Sequence, residues 1–316
     1  MKFATIGHLL DENTLRQLPA SWIQHDFIIS PELDVYGTKG HLSGILITAK
    51  AMMTQPRSAV RQKILDAALF LQNEYAVDVV QLGALTTSVT NGGKWLTDQH
   101  QYNGYVNHGD SYTAAVTCQT VRKVLSMVHR DPADLTLAIV GAYGIIGEAV
   151  SKLIVPQFSH SILIGRDQSK FDKLEKSLTG NFETTVKLVT QNADVVVTAT
   201  SHPTALLGSE HLKKNAIVVD VSQPVNLAID VCRARPDVCR VDGGLVDFPV
   251  PIPIPGMPPG KNFACIAEVI MQALKEEKQH HVGSIELDHL HLTEAWGIEY
   301  GFLLNELTNF GTPIFQ

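Results

Sequence analysis

Between residues 135 and 245 the chain alternates short apolar runs with stretches of helical period. LTLAIVG (135–141), ILIG (162–165), TTVKLV (184–189), ADVVVTAT (193–200), AIVVDVS (216–222) and RVDGG (240–244) have the length and β-branched content of buried strands. Residues 169–178 carry a helical repeat between two of them. Strands alternating with helices predict a doubly wound parallel sheet. The first third reads differently. FATIG (3–7), DFIIS (26–30) and GHLSGILITA (40–49) predict strands, while Arg57 to Asn73 lines up Val60, Ile64, Leu65, Ala68 and Leu69 on one helical face. VDVVQLG (77–83) predicts another buried strand. It runs into ALTTSVTNGG (84–93), a polar, glycine-rich loop of the kind found at a sheet's carboxyl edge. Asp110 or Ser111 is placed to cap a long helix from Tyr112 to His129.

The first strand of the alternating region ends in VGAYGIIGEAV (140–150), which passes into a helical pattern. A sharp strand-to-helix turn of this kind receives a dinucleotide pyrophosphate on the free N–H groups and positive dipole of the helix start. Gly141 permits the turn, Gly144 lets backbone approach phosphate and Gly147 lets helix pack against strand. Ala142, Tyr143, Ile145 and Ile146 complete the cradle. The spacing is GxxGxxG where the usual fingerprint is GxGxxG. The next strand ends in Arg166-Asp167-Gln168-Ser169-Lys170. An arginine there favours the 2′-phosphate of NADPH, with Lys170 beside it, whereas Asp167 either takes ribose hydroxyls or caps the following helix. Thr200, Ser222 and Gly243 follow later strands and fall on the same cofactor edge. The bland alternative for Ser222 and His202 is loop polarity.

PVPIPIPGMPPG (249–260) holds six of the fifteen prolines, so it is neither helix nor central strand. It reads as a stiff flap beside a site or as a plain connector. Helices are expected in NFACIAEVIMQALKEEKQ (262–279) and at about 285–306, the last returning to the first domain. The predicted class is therefore α/β, a doubly wound parallel Rossmann-type sheet with a second, mixed α/β substrate domain. The expected divisions are 1–130 for the first part of the substrate domain, 131–262 for the NADP-binding domain and 263–316 for the returning helices.

Composition narrows the partners. With 45% hydrophobic and 18% charged residues and a net charge of −7, the chain is expected to be a soluble enzyme that does not bind nucleic acid. No apolar run reaches the ~18 residues of a membrane span, and the opening MKFATIGHLLDENTLRQ lacks the form of a signal peptide. The four cysteines show no CxxC pairing and no His/Cys ligand spacing, so neither a disulfide framework nor a metal is expected. A cytoplasmic location follows, and an oligomer is compatible.

Cys265 sits in the first turn of the predicted helix after the proline run, where the helix dipole is expected to lower a thiol's pKa. Its alternative is a small core residue, the reading given to Cys118, Cys232 and Cys239. Glu268 lies one turn further on the same face, placed to position the thiol or manage a proton. His8, after the first strand, reads as lining the acyl site or donating a proton, or as a structural histidine.

GHL (7–9), the basic segment 50–63, LGALTT (82–87), GDSYTA (109–114), VGAYGIIGEAV, VDGGLV (241–246) and NFACIAE (262–268) occur in the order seen in cyanobacterial-type long-chain acyl-[acyl-carrier-protein] reductases, which the chain resembles over nearly its whole length. The resemblance implies NADPH-dependent reduction of an acyl thioester, on an acyl carrier protein or CoA, to an aldehyde. It makes Cys265 the acylated nucleophile and places Gly141, Gly144, Gly147 and Arg166 at the NADPH. The chain departs from it at Asp110, where asparagine is expected, and at Tyr112, where histidine is common. Lys50, Arg57, Arg61 and Lys63 lie in an acid-free segment that reads as a docking face for an acidic carrier protein or as a solvated helix face. Two other readings stand beside this one. The first is a shikimate- or amino-acid-dehydrogenase-like enzyme without covalent catalysis, using a lysine such as Lys39, Lys50 or Lys94. The second is a non-catalytic dinucleotide sensor.

Overall fold

The computed structural model describes residues 1–314 apart from 253, 255, 256 and 259. Those four belong to the proline run, so its reading as flap or connector falls partly outside the described residues.

Chain packing defines two units, Met1–Tyr112 with Val246–Leu303, and Thr113–Leu245 with the described residues from Leu304 on. These borders lie before the 130/131 and 262/263 divisions expected from sequence. The helix Asp110–Met127 changes unit in its first turn, and the chain's last residues join the second unit.

In the first unit, Phe3–Leu9 (β1) is flanked by parallel strands. Phe27–Ile29 (β2) runs antiparallel to a later strand. The stretch 40–49, expected as one strand, is two: Thr38–His41 (β3) pairs with the start of β1, and Ser43–Thr48 (β4) with its end. The break is made by Thr5, whose hydroxyl donates to the Ser43 carbonyl and accepts from the Ser43 N–H in place of a regular ladder. Arg57–Tyr75 (α1) buries Val60, Ile64, Leu65 and Ala68, with Leu69 packed at the margin, as its periodicity predicts. Fully buried, Val60, Ile64 and Leu65 each contribute roughly 1.5–3 kcal/mol. Val79–Leu82 (β5) pairs with β1, and Tyr105–Asn107 (β6) extends the sheet. Residues 84–93, expected as loop, contain the short helix Leu85–Val89. Threonine hydroxyls there bond back to main-chain carbonyls (Thr86 to Ile6, Thr90 to Thr86), so polar side chains hide a folded turn.

Asp110–Met127 (α2) begins two residues before the expected start. Asp110 is thus the first helical residue rather than the cap, and its N–H is taken by His108 Nδ1 at 3.0 Å.

The second unit is the doubly wound sheet predicted. Thr136–Val140 (β7), His160–Ile164 (β8), Phe182–Thr185 (β9), Val195–Thr198 (β10), Ile217–Asp220 (β11) and Cys239–Asp242 (β12) are all parallel, in the spatial order β9-β8-β7-β10-β11-β12. The order reverses between β7 and β10, the point at which open α/β sheets bind ligands. The β9 strand lies slightly before the expected 184–189, because the pairing of Ser161 with Phe182 sets its register and leaves Val186 half exposed. Ile145–Ile154 (α3) follows β7. A terminal hairpin, Thr308–Asn309 with Thr312–Pro313, sits against β12: the Thr308 hydroxyl and the Gly311 N–H both donate to Asp242.

Back in the first unit, Ala264–Leu274 (α4) is buried almost all round, which places Glu268 and Gln272 inside. Leu287–Tyr300 (α5), shorter than expected, stops at Gly301 in the left-handed conformation. Among the described residues no helix is long and apolar enough to cross a membrane.

Candidate active site

In the second unit, β7 ends at Gly141, whose φ of +91° suits glycine. A Cβ on Gly147 would stand 2.1 Å from the Gly141 carbonyl oxygen, so the α3 start and the turn approach closer than any side chain allows. Gly141 and Ala142 donate their N–H groups to the Ile164 carbonyl, and Gly144 donates to Gly141. Gly144 is the N-cap of α3 with no side-chain cap, which leaves the first-turn N–H groups of Ile145, Ile146 and Gly147 without intrahelical acceptors. That cradle fits a pyrophosphate. Replacing Gly147 with alanine is expected to weaken dinucleotide binding at least tenfold and to cost ~1–3 kcal/mol from overpacking, read by cofactor titration and thermal melting.

Tyr143 does a different job from that expected. Its hydroxyl accepts the N–H groups of Arg166 (2.6 Å) and Asp167 (2.9 Å), and Lys170 lies 5.6 Å above its ring. Asp167 caps the following turn through Ser169, and those hydrogen bonds hold its carboxyl below the usual range. Among the described residues the exposed Arg166 guanidinium makes no hydrogen bond. A 2′-phosphate matches that vacant planar fork.

Thr200 and Ser222 are tied to each other and to Asn226: the Thr200 N–H donates to Ser222 Oγ at 2.9 Å, and both hydroxyls reach Asn226 Oδ1. Gly243 donates its N–H to the Asp220 carbonyl. Beneath them lies a network the sequence reading missed. Asp220 accepts from Thr198, Asn226 and Leu227 and faces the buried Arg240, which also binds Asp242 at 2.6 Å.

In the first unit, Cys265 is half-buried in the first turn of α4. The backbone of Gly109 lies directly on it, since a Cβ on Gly109 would stand 2.4 Å from Cys265 Cβ. The helix start does not lower this thiol. Burial pushes it up to about 12, and the Asp110 and Glu268 carboxyls add to the rise, outweighing the Ile266 and Cys265 N–H groups. The chemistry available is therefore that of a thiol that loses its proton as it bonds.

Two carboxyls beside Cys265 are pushed apart. Burial, with the charge of Glu268 nearby, raises the pKa of Asp110 well above its ordinary value. Protonated, Asp110 has the shape and donor-acceptor pair of the asparagine expected there. Burial would also raise Glu268, but His289, His108 and the Tyr112 N–H together bring it below its ordinary value. Tyr112 donates that N–H to Glu268 Oε2 at 2.7 Å, whereas His289 Nε2 stands 3.5 Å from Oε1, an ion-pair distance without good hydrogen-bond geometry. The Tyr112 hydroxyl donates to the Phe302 carbonyl, so the position where histidine was expected is anchored.

His8 lies within β1 rather than after it. Its Nδ1 is 2.8 Å from the Leu9 carbonyl and its Nε2 accepts the Leu85 N–H, so both ring nitrogens are engaged in holding the fold. Burial lowers its pKa further. In the basic segment, Arg57 and Arg61 both donate to the Val89 carbonyl, closing the short helix end, and Lys50 and Lys63 remain exposed.

Sequence reasoning missed His108, His281 and His289. His108 is buried, its pKa pushed down to about 4 by that burial, and it accepts the Asp110 N–H. His281 and His289 stack with centroids 3.6 Å apart. No spacing motif joins His108 and His281, in connecting segments, with His289 on α5.

Residues 123–242 match the model of the shikimate / quinate 5-dehydrogenase family. The long-chain acyl-[acyl-carrier-protein] reductase of Synechococcus elongatus is 24% identical over 251 residues, covering 75% of this chain and 69% of that protein. The aminotransferase PigE of Serratia sp. is 24% identical over 254 residues, 76% of this chain, so the chain spans just 30% of that relative's length. Among solved structures, shikimate dehydrogenase from Aquifex aeolicus aligns with a TM-score of 0.43 at 13% identity, covering 93% of this chain and 97% of that one.

Proposed function

We propose that this protein, an NAD(P)-dependent oxidoreductase with a nicotinamide dinucleotide cofactor, reduces an acyl thioester to an aldehyde through a cysteine acyl-enzyme. The observation that carries the reading is the half-buried thiol of Cys265 beside two carboxyls whose affinities for protons are driven in opposite directions, the arrangement expected of an acid-base site. The 24% identity to an acyl-carrier-protein reductase over most of the chain supports it.

Cys265 sulfur bonds to the thioester carbon and the bond to the carrier sulfur breaks. The S–H proton passes to Asp110 while Asp110 gives its own proton to the departing sulfur, so the exchange is neutral. Glu268, fixed by the Tyr112 N–H, acts as a positioning anion that keeps Asp110 protonated between steps. NADPH, which the turn from Gly141 to Gly147 and Arg166 would hold, would supply the hydride that reduces the acyl group. One solvent proton reaches the resulting oxygen, and the thiohemiacetal on Cys265 then breaks its C–S bond, releasing aldehyde and restoring the thiol. Arg166 selects the 2′-phosphate, and Lys50 and Lys63 offer charge to an acidic carrier protein.

Arg166→Asp is expected to weaken NADPH binding at least tenfold while leaving NADH within about twofold, as measured by cofactor titration. The test of the reaction is to incubate the protein with acyl-CoA and acyl-carrier thioesters without cofactor and map adducts by mass spectrometry. An acyl mass on Cys265 that disappears as aldehyde on adding NADPH is the expected result. Aldehyde formation with no adduct at Cys265 would remove the covalent route. A second reading, a dehydrogenase without covalent catalysis, is favoured by the family match at 123–242 and by the protonated thiol; oxidation of a hydroxy or amino substrate with thioesters inert would select it.

A further inference from the structure

We propose that Glu277, His281 and His289 form a binding site for a divalent transition metal, zinc by the chemistry of its ligands. The inference does not rest on the reaction assigned above, although His289 also faces Glu268 of that site. One ligand atom from each of the three lies within 4.8 Å of the other two. Glu277 Oε2 is 2.8 Å from His281 Nε2, and the two imidazoles are 3.6 Å apart and 7° from parallel. A tetrahedral zinc held ~2.0–2.1 Å from each donor sets its ligands ~3.3 Å apart, so the donors must draw together and the stacked imidazoles must turn to close the set. Two neutral imidazoles and one carboxylate, with a fourth position left to water, are the donors that zinc takes.

The surroundings are those of a built site. His281 and His289 are 8% and 9% exposed. The His281 backbone is pinned on both sides, its N–H to Val106 and its carbonyl to the His108 N–H. The turn carrying Glu277 is clamped by the fully buried Gln272, which donates to the carbonyls of Glu277 (3.0 Å) and Gln279 (2.7 Å) and accepts from Asn107. Ligands on such a scaffold are held before the ion arrives. His289 Nε2 is buried and without a hydrogen bond, facing Glu268 Oε1 at 3.5 Å. Ligand histidines commonly turn their other ring nitrogen toward a carboxylate, and Glu268 stands beside Nε2 at ion-pair distance, which leaves Nδ1 for the metal. A cavity of about 40 Å³ lined by His108, Ser111, Ser284, Glu286 and both histidines lies beside two of the three donors.

The experiment uses the untagged full chain, stripped with chelator, loaded with zinc or cobalt alone and freed of excess by gel filtration. One equivalent of zinc per chain is expected by elemental analysis, with a cobalt spectrum of four-coordinate nitrogen and oxygen ligation. Glu277→Gln and His281→Gln should each lower affinity at least tenfold. His291→Gln, an exposed histidine paired with Glu294 outside the cluster, should leave it within twofold. Glu277 is the half-buried member, so its variant decides the matter if His281→Gln does not fold. The proposal is overturned if the stripped chain retains no zinc, if Glu277→Gln binds as tightly as the parent, or if cobalt shows a sulfur charge-transfer band that assigns the ion to Cys265.

Discussion

Cys265→Ala is expected to lower acyl-thioester-dependent NADPH oxidation by roughly 10³- to 10⁵-fold, because it removes the atom on which the acyl group is carried. NADPH affinity should stay within about twofold, since the cradle of Gly141 to Gly147 belongs to the other unit and shares no residue with the cysteine cluster. The measurement pairs steady-state turnover with cofactor titration on the same preparation. Residual turnover above a tenth of the parent rate would mean that hydride goes directly to a bound carbonyl. Because the thiol is held up to about 12, its alkylation by iodoacetamide should be slow near pH 7 and rise about tenfold per pH unit well below that value. A helix-activated cysteine would already be reactive at neutral pH.

The largest effect on stability is expected from Asp220→Ala. It strips one partner from Arg240, whose side chain is 1% exposed, and leaves the Asn226 and Leu227 N–H groups without an acceptor. Breaking a buried ion pair from one side costs ~3–5 kcal/mol, which for a chain of this size lowers Tm by about 10 °C. The pair itself need not be a net stabiliser, because Arg240 Nε is buried without a hydrogen bond. The double variant Asp220→Ala with Arg240→Met should therefore recover part of the loss. Melting curves on the parent, both single variants and the double variant check this, and strict additivity would contradict it.

The parallel sheet and the tight strand-to-helix turn after Val140 were legible because they depend on local pattern. Runs such as LAIV and VVV must be buried on both faces, and Gly147 sits where any side chain collides with a carbonyl. The helix Arg57–Tyr75 was legible for the same reason. The helix Leu85–Val89 was not, because threonine hydroxyls that satisfy their own backbone look like loop polarity. The cysteine site divides in the same way. Cys265 and Glu268 share one helix face and could be paired from sequence, but the rise in the thiol's pKa comes from burial and from carboxyls that include Asp110 on a distant segment. His281 and His289 are brought together by folding alone. For His8 the sequence left a functional and a structural reading open, and the engagement of both ring nitrogens fits the structural one.

The terminal hairpin sets a condition on dissecting the protein. Asp242 takes donors from Thr308, Phe310 and Gly311, and Phe310 lays its ring 4.0 Å from the Arg240 guanidinium. An excised piece running from 113 to 245 would contain every strand of the parallel sheet and still lack the residues that quench the charge at its edge. The nucleotide-binding half is thus discontinuous in sequence, and fragment work has to graft residues from Leu304 onward back onto it.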